Sequence, residues 1–424
     1  MITLLFISLL ILMALSVPIS ISLGLATTIT VWFGDLTSLK IIVQQMFNSI
    51  NSFPLMAIPF FILAGYLMES GGISQRLVNF ATALVGHITG GLAMVAIVTS
   101  LFFAAISGSG AATTAAIGAI LIPAMIARGY SPQFATANQA VSGALGVIIP
   151  PSIPLILYGI AAQQSIGDMF LAGIIPGILV GCSLIITAYF ISKKRGYIGV
   201  EKRSFKDLIH AFRKAVLSLF MPFLVLGGIY GGVFTPTEAA VIAVAYSFIV
   251  GFVIYREIKL KDIFDILKRA AVTTSVVMSI IATAGLFSFI LNRLGVPSLI
   301  SDAFLSTTTS VVAFIFLVNI LLLITGMFIE AAAAILIFVP ILLPLAVNLG
   351  LDPVHFGIIM VVNLAMGMFT PPVGINLFVA SQISGIKLER LTKAIIPFVI
   401  VLFVNLIILS FVPFLSTWLP SLGD

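Results

Sequence analysis

Four short stretches hold most of the residues that could do chemistry in this otherwise apolar chain. They are Ser107-Gly108-Ser109-Gly110 with Thr113 and Thr114, Gly146 to Ser152 with Pro150-Pro151, Gly326 to Glu330, and Gly367 to Val373 with Thr370 and Pro371-Pro372. A Pro-Pro pair removes two amide donors and pushes the preceding residue out of the helical region, so a span carrying one must break. Carbonyls and hydroxyls freed at such a break suit a small hard cation such as Na⁺. Helix starts offer bare N–H groups and a positive dipole end to a carboxylate. Gly108, Gly110, Gly146, Gly326 and Gly367 permit turns and close backbone approach. An isolated Gly or Ser in such a chain more simply marks helix packing. Four small residues in a row between two apolar arms favour a tip.

Other chemistries are set aside. No GxxxxGK[ST] phosphate loop is present, so ATP hydrolysis is not expected. His87, His210 and His355 lie far apart, with no metal-binding spacing. The Ser/Gly run is not G-x-S-x-G, and no His/Asp pair is placed to activate it. An enzyme is therefore not expected. Glu330 is an acidic residue in an apolar context, which suggests a cation site; it also precedes Ala331–Ala334 and would serve as a helix cap. Thr235-Pro236-Thr237-Glu238 reads as a capping box, although Glu238 alone would also suit a cation.

The elements that position these groups follow from composition. Of 424 residues, 61% are hydrophobic and 8% charged, where a soluble domain carries roughly a quarter as charges. Apolar stretches of about 18 residues recur along the chain, long enough to cross a bilayer. Met1–Thr30 reads as a retained pair of short helices turning near Pro18. The net charge of +6 is clustered. The groups are Lys193 to Lys214, then Arg256 to Arg269, then Lys387 to Lys393, and short basic loops stay on the cytoplasmic side. These loops are too short and too mixed in sign for a nucleic-acid face. The single Cys182 excludes an internal disulfide.

The chain also repeats itself at an offset of 221 residues (353 − 132). Pro123 matches Pro344, Pro132 matches Pro353, Gly146 matches Gly367, Pro150-Pro151 matches Pro371-Pro372, and Pro176 matches Pro397. The expected architecture is an all-α polytopic membrane protein with two inverted-topology repeats. Each repeat carries a re-entrant helical hairpin and a discontinuous transmembrane helix. The first repeat covers 1–192, with its inward hairpin at about 91–127 and broken helix at about 132–162. A basic cytoplasmic connector covers 193–214. The second repeat covers 215–424, with its outward hairpin at about 311–347, its tip at 326–330, and its broken helix at about 353–381. Scaffold spans are expected near Leu217–Gly232 and Glu238–Ile254.

Longer motifs carry a resemblance. They are Ser107 to Thr113, Gly146-Val147-Ile148-Ile149-Pro150-Pro151-Ser152-Ile153-Pro154, Gly231 to Ala240, Asp352 to Ile359, and Phe369-Thr370-Pro371-Pro372-Val373-Gly374. Together they resemble the large membrane subunit of tripartite ATP-independent periplasmic (TRAP) transporters, over essentially the whole chain. The resemblance implies an elevator-type permease of the bacterial inner membrane. It would import a small organic acid, such as a C4-dicarboxylate, keto acid or sialic acid, by Na⁺ symport. Implied partners are a small four-helix membrane subunit and a periplasmic substrate-binding protein. One implied Na⁺ site maps onto Ser107, Gly146, Ile149 and Pro151, and a second onto Gly326, Gly367, Thr370 and Val373. Substrate-binding candidates are Ser109, Thr113, Ser152 and Pro372. The chain departs from the family pattern at Glu330-Ala331-Ala332, where relatives often show Asp followed by Thr.

Overall fold

The computed structural model describes residues 1–201 and 204–422, and all regular structure among them is helical. Lys202 and Arg203, part of the expected basic connector, lie outside the described residues. Nine helices among the described residues are long and apolar enough to cross a membrane, or ten if one bent pair is a single span. That pair is Pro132–Ile148 with Ile153–Ala161, bent by 40° at the first Pro-Pro. The chain opens with Ile2–Ala14 and Ile19–Gly34, turning at Pro18.

Local sequence explains where the helices start. Ser109, Ser131, Ser165, Thr235 and Asp352 each accept a first-turn amide at an N-cap. Pro132, Pro236 and Pro353 occupy first-turn positions, where a missing N–H costs nothing. At Thr235–Glu238 both halves of the capping box form: Thr235 N–H donates to Glu238 Oε2 at 2.8 Å, and Glu238 N–H donates to Thr235 Oγ1 at 3.3 Å.

The first hairpin is Gly91–Ser107 and Gly110–Ala127, leaving only Gly108 and Ser109 at its tip. The second hairpin is Val311–Phe328 and Ala331–Asn348. Its tip is therefore shorter than 326–330: Gly326, Met327 and Phe328 stay helical, and only Ile329 and Glu330 turn. The second broken helix is Pro353–Gly367 followed by Ile375–Ser384. Scaffold helices run from Phe205 to Tyr230 and from Pro236 to Phe248, the latter continuing as a π-turn to Ile254. The first of these begins twelve residues before the expected Leu217. Its amphipathic start, capped by Ser204 and Asp207, carries too many charges to register as a span. The second basic group also differs from a loop. Lys261, Lys268 and Arg269 lie on a 34-residue helix, Leu260–Arg293.

The halves exchange contacts in the manner of a two-fold axis. The second hairpin arm Gly110–Ala127 packs on Ile375–Ser384 of the other repeat, and Ala331–Asn348 packs on Ile153–Ala161. Helices Ile166–Arg195 and Leu388–Phe411, which carry the matched Pro176 and Pro397, also meet each other. There Asn405 donates to Ser183 across 2.5 Å, one residue from perfect repeat equivalence. Helix Pro353–Gly367 is buried almost throughout. It is glued to its neighbours by buried amides: Asn363 donates to the Asn319 side chain at 2.8 Å, and Asn319 donates to Ser410 at 3.0 Å.

Candidate substrate and ion site

Both hairpin tips and both breaks come together around one cavity. Its wall takes Ser107, Gly108, Ser109 and Gly110 from the first tip, and Glu330, Ala331 and Ala332 from the second. Val147, Ile153 and Pro154 come from the first break and Met368 from the second. Two long helices, Phe53–Ser70 and Leu260–Arg293, close the remaining side with Tyr66, Glu69 and Thr273.

Each hairpin is pinned to the break of its own repeat, at or just before its tip, by one main-chain hydrogen bond. Ile153 N–H donates to the Gly108 carbonyl at 3.2 Å, and Gly374 N–H donates to the Met327 carbonyl at 3.0 Å. Ile153 and Gly374 are themselves repeat equivalents at the 221-residue offset. One amide in each break is thus satisfied by protein, as non-helical backbone inside a membrane requires.

The first cluster is dense in oxygen. Thr113 Oγ1 lies 2.8 Å from both the Ser109 carbonyl and the Ser107 hydroxyl. A Cβ on Gly146 would stand 2.4 Å from the Ser109 carbonyl and 2.6 Å from Thr113 Oγ1. Only glycine lets the broken helix approach the tip this closely. A Cβ on Gly108, at φ +58°, would stand 2.9 Å from the Pro151 carbonyl. Ser107, Gly146 and Pro151 are therefore gathered at one tip. Ile149 ends the helical segment and its side chain turns away onto Gly177 of helix Ile166–Arg195, which leaves only its main chain for the cluster.

The second cluster uses the same device. A Cβ on Gly367 would sit 2.4 Å from the Gly326 carbonyl carbon. Thr370 Oγ1 donates to the Met366 carbonyl at 2.6 Å, leaving the oxygen's lone pairs for another group. Gly326, Gly367 and Thr370 are brought together, with Val373 in the same break but exposed. Both Pro-Pro bonds are cis.

Of the four expected substrate contacts, Ser109 lines the cavity. Thr113 is wholly buried behind it, and Ser152 spends its proton on the Val147 carbonyl at 2.6 Å. Pro372 is exposed and is not among the lining residues. Glu330 occupies the N-cap position of its helix yet makes no side-chain cap bond, and it faces the cavity. Glu238 is engaged in its capping box, away from the cavity.

Sequence reading missed Tyr66, Glu69 and Thr273, because nothing in their spacing relates them to the breaks. It also missed Asn376, buried with both amide atoms unpartnered and packed against Gly110. Its position two residues beyond Gly374 was the available signal.

A helical membrane protein whose paired breaks and tips share one cavity belongs to the secondary transporters. The family model of the tripartite ATP-independent periplasmic transporter, DctM component, matches residues 6–415. The chain is 48% identical over 402 residues to the isethionate TRAP transporter permease protein DctMQ of Oleidesulfovibrio alaskensis, covering 95% of this chain. The chain spans only 63% of that relative's length. It is 40% identical over 427 residues to the C4-dicarboxylate TRAP transporter large permease protein DctM of Rhodobacter capsulatus, covering 97% of each. Among solved structures, the Alcanivorax borkumensis YdaH transporter aligns with a TM-score of 0.63 at 15% identity, over 88% of both chains, a likeness of fold. The chain belongs to the DctM family of TRAP transporter large permeases. It is a multi-pass inner-membrane permease and not an enzyme.

Proposed function

We propose that this permease imports a small organic anion by Na⁺ symport, with the anion held in the shared cavity and Na⁺ in the two flanking oxygen clusters. The observation that carries the proposal is the convergence of both tips and both breaks on one cavity. The first turns of Gly110–Ala127 and Ala331–Asn348 both line its wall, and helix starts favour an anionic group. The named activities of the relatives, isethionate and C4-dicarboxylate transport, point to the same class of substrate. The cavity also contains the carboxylate of Glu330. An anion placed beside it is repelled unless a cation binds as well, which supplies a physical reason for coupling. A small membrane subunit and an extracytoplasmic binding protein complete the proposed system. An elevator-like displacement of the hairpins and breaks against the long helices would expose the cavity to each side in turn.

The test is uptake by proteoliposomes holding the chain with its small subunit, supplied with the binding protein. Succinate and isethionate serve as probes. Accumulation driven by an inward Na⁺ gradient is expected. Uptake driven by a pH gradient and indifferent to Na⁺ would overturn the ion assignment; no uptake of either probe would overturn the transport reading for these anions.

A further inference from the structure

Two arginines, Arg76 and Arg269, each pair with a carboxylate far away along the chain, and they are not bonded alike. Arg76 bonds through both terminal nitrogens. Its Nη1 donates to the Gly72 carbonyl at 2.8 Å, its Nη2 pairs with Glu257 at 3.1 Å, and its guanidinium carbon lies 3.9 Å from the Tyr255 ring centroid. Its side chain is 21% exposed. That is a clamp engaged by both prongs of the fork.

Arg269 is held only by one nitrogen. Nη2 reaches both oxygens of Glu69, at 3.1 and 3.3 Å, and the guanidinium carbon lies 4.5 Å over the Tyr66 ring. Nε and Nη1 have no hydrogen-bond partner among the described residues, and the side chain is 51% exposed. A relaxed arginine–carboxylate pair shares two parallel hydrogen bonds from two nitrogens. Here the fork is engaged by one prong. Both of its neighbours, Glu69 and Tyr66, line the cavity, and Tyr66 is steadied by a 2.9 Å hydrogen bond with Thr273. The lining itself contains two carboxylates, Glu69 and Glu330, and no Lys or Arg.

We infer that Arg269 receives an anionic group of the substrate at the cavity's mouth, and that Glu69 occupies the guanidinium until the substrate displaces it. The inference rests on the transport reading above and adds a specificity-determining residue to it. Carboxylate and sulfonate groups both present coplanar oxygen pairs to such a fork, so one residue serves either kind of anion. Pairing with Glu69 keeps the positive charge from holding the anion too tightly, and a transport site must release what it binds.

The test turns on the sign of two charge removals, measured in the same reconstituted system with succinate and isethionate. Arg269→Gln is expected to raise KM for the anion about tenfold or more, with half-saturating Na⁺ unchanged. Glu69→Gln is expected to lower KM severalfold, because it frees the guanidinium; Arg269→Lys should fall between Arg269→Gln and wild type. Arg76→Gln serves as comparator and should lower thermal stability in detergent without moving KM. An ion pair that only holds helices together predicts that Arg269→Gln and Glu69→Gln act alike. Equal changes, loss of uptake in both, or lost stability with KM intact would overturn the inference. Failure of wild type to transport either probe is a separate result and tells against the transport reading itself.

Discussion

At the scale of single residues, hydroxyl oxygens and one carboxylate carry the proposed ion chemistry. Ser107→Ala and Thr370→Val each remove one proposed ligand oxygen from a different cluster. A lost ligand of a charged group costs about 1.5–3 kcal/mol, so half-saturating Na⁺ should rise at least tenfold in each variant while the protein stays folded. Sodium titration of uptake checks this, and an unchanged curve removes that residue from its site. Glu330→Gln should likewise weaken Na⁺ dependence, with Glu330→Asp retaining part of it; its missing cap bond means that neither change should shift thermal stability much. Thr235→Ala should do the reverse, costing about 1 kcal/mol of stability through the lost cap and leaving transport intact. These roles were unequally legible in the sequence. Thr235 and Glu238 announced themselves because capping is local, three residues apart on one turn. Glu330 stayed ambiguous, since the same position serves either role and only the absent hydrogen bond separates them. Arg269 was hidden among basic residues near a loop, and its partner Glu69 lies 200 positions away.

At the scale of elements, close backbone approach sets the geometry. Gly326 and Gly367 press the second hairpin against its broken helix with no side chain between them. Gly367→Ala should force the pair apart at a cost of about 1–3 kcal/mol, lowering the melting temperature and disturbing the second cluster. Gly227 is the control: it is helical, has no atom near its absent Cβ, and Gly227→Ala should be neutral or stabilising by up to about 1 kcal/mol. Thermal unfolding in detergent reads both. The hairpins and breaks were legible because proline, glycine and short apolar arms act through local sterics. The length of the second tip was not. Gly326 looked like the start of a turn, but its glycine is used for helix packing, and helical hydrogen bonding continues to Phe328.

At the scale of the whole molecule, the 221-residue register made the duplication visible without coordinates, since repeated prolines and glycines survive where apolar side chains interchange freely. What the register could not convey is which surfaces meet. Contacts between repeats, such as Asn405 with Ser183, join residues far apart along the chain, and no local pattern encodes them. The inversion itself is open to a direct measurement. In a Cys182→Ser background, the exposed positions Arg128 and Asn348, at the ends of the two hairpins, should label from opposite faces of the membrane when each is changed to cysteine. Labelling from the same face would contradict an inverted arrangement.

Each hairpin is tied at or near its tip to its own repeat while its second arm leans on the distal segment of the other. The two repeats are therefore linked like crossed forearms, each gripping the other's elbow. A lesion that loosens one oxygen cluster will be felt at the opposite one, so the two proposed ion sites should titrate as a cooperative pair.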